Sequence, residues 1–405
     1  MIGSMFSGIS GLTANSTAMS VIGDNIANVN TVGFKSNRSL FANILSKSLV
    51  GSTGQEIGRG VRFWGTTPSW TQGSFENTGS PTDLSINGRG LFVLRDESGA
   101  DFYTRAGSFT FDEDGNMVNP GNLVVQGFPI EDTGNLGAVG NINIPGASTT
   151  SPRASTEFTA DVNLNAEAAV GDTYSVALNV FDSLGADIPL TVEFTKTAAG
   201  WDWAATVPDG PVTGGVGSLV FNPDGSLGTN NGGTTDPSLS FMPASGGEQV
   251  NLTWDFFDDN TNLTHGDMTN YASDFAYTFQ TQDGYASGSL KGLSTDEEGI
   301  IRGSYSNGQQ VPIFQLALAD FPSYYGLTRL GDTLYQESGA SGQPMLQIPG
   351  NGTAGTIAPA ALEMSNVDLA TEFVKMITTQ RAFQANSKVI TTSDEILGEL
   401  INIKR

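Results

Sequence analysis

Apolar residues return every seven positions along the last forty residues, at Leu369, Met376, Phe383, Ile390 and Leu397. That repeat holds side chains on one side of an α-helix, so the stretch is predicted to be one long helix with an apolar stripe. Phe373, Ile377, Val389, Ile396 and Ile401 broaden the stripe, while Glu372, Lys375, Arg381, Lys388 and Glu399 fall on other faces. A helix of roughly 35 residues is about 50 Å long at 1.5 Å per residue. An ordinary compact domain does not need such a length, so the stripe is expected to serve assembly. The first thirty residues mirror it: Met5, Leu12, Met19 and Ile26 also stand seven apart, with Ile2, Ile9, Ile22 and Val29 beside them. Gly3, Gly8, Gly11 and Gly23 each cost up to about 1 kcal/mol of helix propensity relative to Ala. This segment is therefore expected to order only when packed, and its glycines allow a second helix to come close.

Between the two helices the period changes. The helical pattern breaks across Ala27 to Lys35, where Asn28, Asn30 and Gly33 supply termination chemistry. From Lys35 to Trp70 apolar residues thin out and Gly51, Gly54, Gly58 and Gly60 predict an extended connection. Alternation then signals strands. Leu84 to Ile86 and Leu91 to Leu94 flank Asn87-Gly88-Arg89-Gly90, and Ser108 to Phe111 is separated from Met117-Val118 by Asp112-Glu113-Asp114-Gly115-Asn116; both read as hairpins. Tyr174 to Phe181 and Leu190 to Phe194 alternate cleanly, Asn222-Pro223-Asp224-Gly225 is a tight turn, and strands resume at Gly299 to Gly303 and Ile313 to Leu318. The order is helix, strands, acidic strands, strands, helix. The fold class expected is mainly β with α-helical termini: a nested multidomain rod whose terminal helices form an antiparallel coiled-coil-like inner domain, with two β domains projecting outward. The boundaries implied are 1–30 with 367–405 for the helices, 31–70 with 359–366 for the connection, 71–144 with 285–358 for one β domain, and 145–284 for the other.

Charge sharpens this division. The formal net charge is −24, and residues 145–284 hold eighteen carboxylates against two cations, so two-thirds of the excess sits there. Such a block repels its own copies and nucleic acid and is expected to face solvent, whereas the nearly neutral ends can pack closely. The chain of 405 residues has no cysteine and one histidine, His265, which removes thiolate and disulfide chemistry and leaves little for acid–base or metal catalysis. Asp112, Asp114 and Asn116 have the first three spacings of a calcium loop, but the glycine and the closing glutamate are misplaced, so a hairpin turn is expected there. Asp258-Asp259 and Asp296-Glu297-Glu298 read as solvated turns. Trp201, Trp203 and Trp254 alternate as core residues do rather than as a sugar platform. No phosphate loop, dinucleotide fingerprint or Gly-x-Ser-x-Gly occurs, no apolar run is long enough for a membrane span, and no Lys or Arg precedes Lys35 as a cleavable secretion signal would require.

Two motifs go beyond general pattern. Asp24-Asn25-Ile26-Ala27-Asn28 runs into Asn30-Thr31-Val32-Gly33-Phe34-Lys35, and Ser365-Asn366-Val367-Asp368-Leu369 precedes Gln380-Arg381-Ala382-Phe383-Gln384-Ala385-Asn386-Ser387-Lys388. Together they resemble the axial proteins of the bacterial flagellum, the rod, hook and hook-associated family. The segments Tyr103 to Gly107, Asp283 to Gly288 and Tyr305 to Gly308, with the large middle insertion, are similar to those of hook proteins within it. The resemblance implies a structural subunit, not an enzyme, with no cofactor. It would self-assemble into a helical homopolymer, a curved tube working as a universal joint that passes torque from rod to filament. Expected partners are its own copies, the rod, the hook cap, the hook–filament junction proteins and the type III export apparatus, with no nucleic acid and no membrane insertion. The expected location is the hook, outside the cell. The motif residues carried over are Asn28, Thr31, Gly33, Phe34, Lys35, Gln380, Arg381, Ala382 and Asn386; the assembly interface is expected at Met5, Leu12, Met19, Ile26, Leu369, Phe373, Met376, Phe383, Ile390 and Leu397. A distal rod protein of the same family and, from another class, a secreted β-rich hydrolase are the alternatives.

Overall fold

Helix α1 spans Ile2–Ala27 and α2 spans Leu369–Ile403, with strands and a short 3-10 turn, Tyr324–Gly326, between them. The computed structural model describes residues 2–45, 58–131, 134–208, 210–257 and 266–403. The chain divides into two compact units: one of Met1–Gly146, Gly292–Gly303 and Val311–Arg405, the other of Ala147–Lys291 and Ser304–Gln310.

The first unit contains both helices and a sheet. Strands β1 (Asn37–Leu45) and β2 (Gly58–Pro68) form an antiparallel pair that lies against α1, where the Val61 amide donates to Ser10 Oγ at 3.2 Å. The connection expected from Lys35 to Trp70 is therefore, in its described part, a hairpin. Its sparse apolar residues meet across the strands: Phe41 opposes Phe63, and their rings stand edge to face at 6.3 Å, while α1 supplies the cover that the ribbon alone lacks. Further along, Val124–Pro129, Leu91–Arg95, Asp101–Thr104, Leu334–Gln336 and Thr328–Gly331 lie side by side in that order. Leu91, Val93, Tyr103, Phe321 and Tyr335 form their core.

Leu84–Asn87 and Leu91–Arg95 do not make the expected hairpin. The first pairs with Thr356–Pro359 and the second with Asp101–Thr104. The reason lies in the turn, whose carbonyls at Ile86, Gly88 and Gly90 all point at the Arg105 guanidinium (3.3, 2.9 and 2.7 Å). Gly88 and Gly90, at φ 109° and 121°, permit that inward orientation. The loop from Asp112 to Asn116 does close a hairpin, between Thr110–Phe111 and Met117–Val118.

The second unit is a β-sandwich. Thr173–Phe181, Asp187–Lys196, Trp201–Thr206, Val216–Phe221 and Leu227–Asn230 form an antiparallel meander in chain order. The other sheet orders Ser238–Phe241, Val250–Trp254, Glu157–Asn163 and Met268–Thr269, with Ala276–Gln282 also paired to Glu157–Asn163. Inward residues of both sheets build one core around Phe158, Phe194, Trp201, Trp203 and Trp254. The period-2 alternation places them there, since every second side chain of a strand faces the opposite sheet.

Candidate functional site

The terminal helices run antiparallel. Ser4 meets Ser393, Gly8 meets Ile390, Gly11 meets Asn386 and Asn25 meets Glu372, so the partner number falls as α1 advances. What fills this seam differs from the apolar pattern. On α1 the buried residues are Gly8, Gly11, Ala14, Ala18, Ile22 and Asn25. A Cβ on Gly11 would sit 2.6 Å from Asn386 Oδ1, and one on Gly8 3.0 Å from Ile390, so the glycines are what allow this separation. On α2 the seam draws on two columns of the seven-residue repeat. Met376, Ile390 and Leu397 are half-buried in one, while Glu372 and Ser393 are buried and Asn386 half-buried in the other. The second column is polar.

The two apolar stripes therefore do not close on each other. Met5, Leu12, Met19 and Ile26 stay half-buried beside the seam, and Leu369, Phe373 and Phe383 are exposed. Phe6 at 64%, Val374 at 61% and Ile377 at 50% lie in solvent as well. A helix pair with this much apolar surface uncovered leaves a broad greasy face that its own two helices do not fill.

Where the helices join the β-structure, the motif residues form a junction. Gly33, at φ 69°, donates its amide to the Glu363 carbonyl at 2.7 Å, and a Cβ there would lie 2.5 Å from the Ala106 amide nitrogen. Glu363 is fully buried. Its Oε1 accepts from Lys35 Nζ at 2.6 Å and from the Gly73 amide at 2.9 Å, and its Oε2 from Arg105 Nε at 2.9 Å. Lys35 gives a further bond to the Thr71 carbonyl (2.8 Å). Burial pushes the Lys35 ammonium below its usual range, against the opposing pull of Glu363. One carboxylate thus holds two cations away from water, an arrangement that is stable only while all three remain.

Amide side chains tie the remaining strands of the junction. Asn25 bonds both the amide and the carbonyl of Asn37, each at 2.8 Å, and reaches Glu372 Oε2 at 3.3 Å. Asn37 Oδ1 accepts from Arg329 (2.6 Å), and the Arg329 guanidinium lies over the Phe34 ring. Asn366 accepts from the Ser36 amide at 2.7 Å and donates to the carbonyls of Ser69 and Thr71. Asn28 closes α1 by donating to the Asp24 carbonyl, while its Oδ1 accepts from the Thr31 hydroxyl. Asp368 opens α2: its carboxylate accepts the Thr371 amide at 2.7 Å, which with the Thr371 hydroxyl holds it below the usual carboxylate range. Of the C-terminal motif, Gln380 and Arg381 are exposed, Ala382 is half-buried, and Asn386 packs on Gly11 and donates to the Ala382 carbonyl.

Glu363, Arg105 and Asn37 carry no mark of this role in their local sequence, since their partners lie up to 328 residues away. The one trace is Glu363 itself, a lone charge at an inward position among Ala361, Leu362 and Met364. The weighed alternatives have other positions. Asp112 accepts the Asn116 amide and side chain within its hairpin, Asp296 accepts from the Ile300 amide and Arg302, and the three tryptophans are core. His265, Asp258 and Asp259 lie outside the described residues. Among those described, no cluster of potential metal ligands occurs and no helix is long and apolar enough to cross a membrane.

Comparison with known proteins covers the same ground. Residues 5–35 match the flagella basal body rod protein family, 85–164 the flagellar hook protein FlgE/F/G D1 domain, 153–285 the flagellar basal body protein FlaE D2 domain, and 358–403 the flagellar basal body rod FlgEFG protein C-terminal region. The flagellar hook protein FlgE of Borreliella burgdorferi is 33% identical, with all of both chains covered. That of Escherichia coli K12 is also 33% identical, over 98% of each. In fold, the chain is similar to the crystal structure of Helicobacter pylori flagellar hook protein FlgE2, with a TM-score of 0.52 at 15% identity, covering 71% of this chain and 100% of that one.

Proposed function

Since this chain belongs to the flagellar hook protein family, we propose that it is a structural subunit of the bacterial hook that joins to its own copies through the uncovered faces of α1 and α2. The observation that carries the reading is the mismatch in the helix pair, whose seam takes mostly small residues of α1 and one polar and one apolar column of α2, while Phe6, Phe373, Val374 and Ile377 stay in water. Covering apolar area is worth about 25 cal/mol per Å². Repeated along two helices, this supplies the drive for polymerisation. The interface residues are Met5, Leu12, Met19, Ile26, Leu369, Phe373, Met376, Phe383, Ile390 and Leu397 with their exposed neighbours.

The polymer is a curved tube that passes torque from rod to filament. Its inner wall is the helix pair, and the acidic block, residues 145–284, faces solvent as its charge favours. The junction at Glu363 suits that duty, because ion pairs and amide bonds couple the helix ends to strands without a soft hinge between them. Subunits reach the growing end through the type III export apparatus, and the rod, hook cap and hook–filament junction proteins are the other partners of the polymer. The family is structural, and no step of this function requires a reacting group. Electron microscopy of the purified Phe373→Asp protein tests the reading. The expected outcome is a folded chain that makes no tubes, since the change puts an unpaired charge into a closely packed contact; normal tubes would contradict it.

A further inference from the structure

An asparagine followed by glycine carries its own electrophile and nucleophile: the glycine amide nitrogen can reach the asparagine side-chain carbonyl, because glycine has no Cβ in the way and lets the backbone turn toward it. The chain has four such pairs, Asn87-Gly88, Asn231-Gly232, Asn307-Gly308 and Asn351-Gly352. The attack needs a glycine amide that is not held by an acceptor and a carboxamide free to swing over it.

Three of the pairs are held. The Gly88 amide donates to Gln72 Oε1 at 3.2 Å, and Asn87 lies in a strand paired with Thr356–Pro359. Asn231 Oδ1 accepts the Ser218 amide at 2.9 Å while the Asn231 amide donates to the Ser218 carbonyl at 2.8 Å, which fixes side chain and backbone together. Asn307 Nδ2 donates to the Ala286 carbonyl (2.7 Å), its Oδ1 accepts the Gln309 amide (3.1 Å), and the Gly308 amide donates to the Tyr305 carbonyl (3.0 Å). Asn351 differs. It is exposed, and among the described residues neither its carboxamide nor the Gly352 amide makes a hydrogen bond. Gly352 itself stands at φ 61°, and a Cβ there would lie 3.0 Å from Gln347 Oε1, so the position calls for glycine.

We propose that Asn351 is a site of spontaneous deamidation, with water as the co-reactant, and the one pair of the four that the fold leaves open to it. Hydroxide takes the Gly352 amide proton, the nitrogen bonds to Asn351 Cγ, and the Cγ–Nδ2 bond breaks as Nδ2 gains a proton from water and departs as ammonia. Water then opens the cyclic imide at either carbonyl. One opening leaves aspartate and the ordinary backbone; the other leaves isoaspartate, with an additional methylene in the main chain. The surrounding loop is pinned on both sides of that insertion. The Gly350 amide donates to the Gly355 carbonyl (2.9 Å), the Gly355 amide to the Arg89 carbonyl (2.7 Å), and the Thr353 hydroxyl to Asp320 Oδ2 (2.6 Å). Asp320 is buried, with its other oxygen taken by the Tyr324 hydroxyl and by Arg89. A longer main chain two residues before Thr353 draws that hydroxyl away and leaves a buried carboxylate oxygen short of a donor. Age of the chain is thereby written into one loop as a charge and a weakened anchor.

Full-length protein kept in mildly alkaline buffer, sampled over time and digested for mass spectrometry, tests this. Asn351 is expected to become an acid, as two chromatographically separable isomers, at least about tenfold faster than Asn87, Asn231 or Asn307, a barrier difference of about 1.4 kcal/mol. In denaturant the four pairs are expected to convert at similar rates. Conversion of Asn351 no faster than that of the other three in the folded chain, or the same preference for it in denaturant, would overturn the proposal. The second readout is the denaturation midpoint. It is expected to fall with age in the unsubstituted chain and to hold in Asn351→Ala, which removes the reacting carboxamide at an exposed position; an equal fall in both would overturn the link to the Asp320 anchor.

Discussion

Trp201, Trp203 and Trp254 are each less than 3% exposed in the sandwich, whereas Phe6, Phe373 and Val374 on the helix pair stand at about half exposure or more. Both segments have apolar residues at the period of their secondary structure. The difference is what lies opposite: two sheets of matching alternation cover each other, while α1 offers α2 a column of glycine, alanine and asparagine. Close approach through Gly8 and Gly11 shapes the pair but cannot cover its larger side chains. A folded unit that is complete and one that is unfinished coexist in a single chain, and the unfinished one carries the family's terminal motifs.

The sharpest contrast comes from the complete unit. Trp203→Ala is expected to destabilise the sandwich by about 3–5 kcal/mol, the range for emptying a tightly packed aromatic site, read as a lowered transition in near-ultraviolet circular dichroism. Helix-driven assembly should survive wherever the rest of the chain is folded, so loss of all tubes below that transition would blur the division. A smaller effect is expected at the junction. Glu363→Gln leaves the Lys35 and Arg105 charges buried without a counter-charge, at a cost of about 3 kcal/mol, the low end for a broken buried pair because the amide oxygen still accepts a bond. Denaturant titration measures it; an unchanged midpoint would mean that the ion pairs do not hold the helices to the strands. The smallest effect on stability is expected from Phe373→Asp. It should fall within about 0.5 kcal/mol, as for other exposed positions, although the same change removes the polymer.

How much of this was readable in the sequence follows from the range of the interactions. Helices, alternating strands, the turn at Asp112 to Asn116 and the tryptophan core depend on residues a few positions apart, and periodicity locates them. The helix seam was not legible, because a repeat of seven says which residues share a side and nothing about which of them another helix will cover. Nor were the β1–β2 hairpin, whose apolar residues are too few to alternate convincingly, or the Glu363 cluster, whose members come from positions 35, 105 and 363.

Amide hydrogen exchange along α2, compared between monomer and polymer, tests the central claim most directly. If the apolar faces are covered only by neighbouring copies, amides from Leu369 to Leu397 should exchange readily in the monomer, because a long helix held by a narrow polar seam opens easily. They should become strongly protected in the tube, while the strands around Trp203 are protected in both. Strong protection of Leu369 to Leu397 in the monomer, unchanged on assembly, would contradict the account.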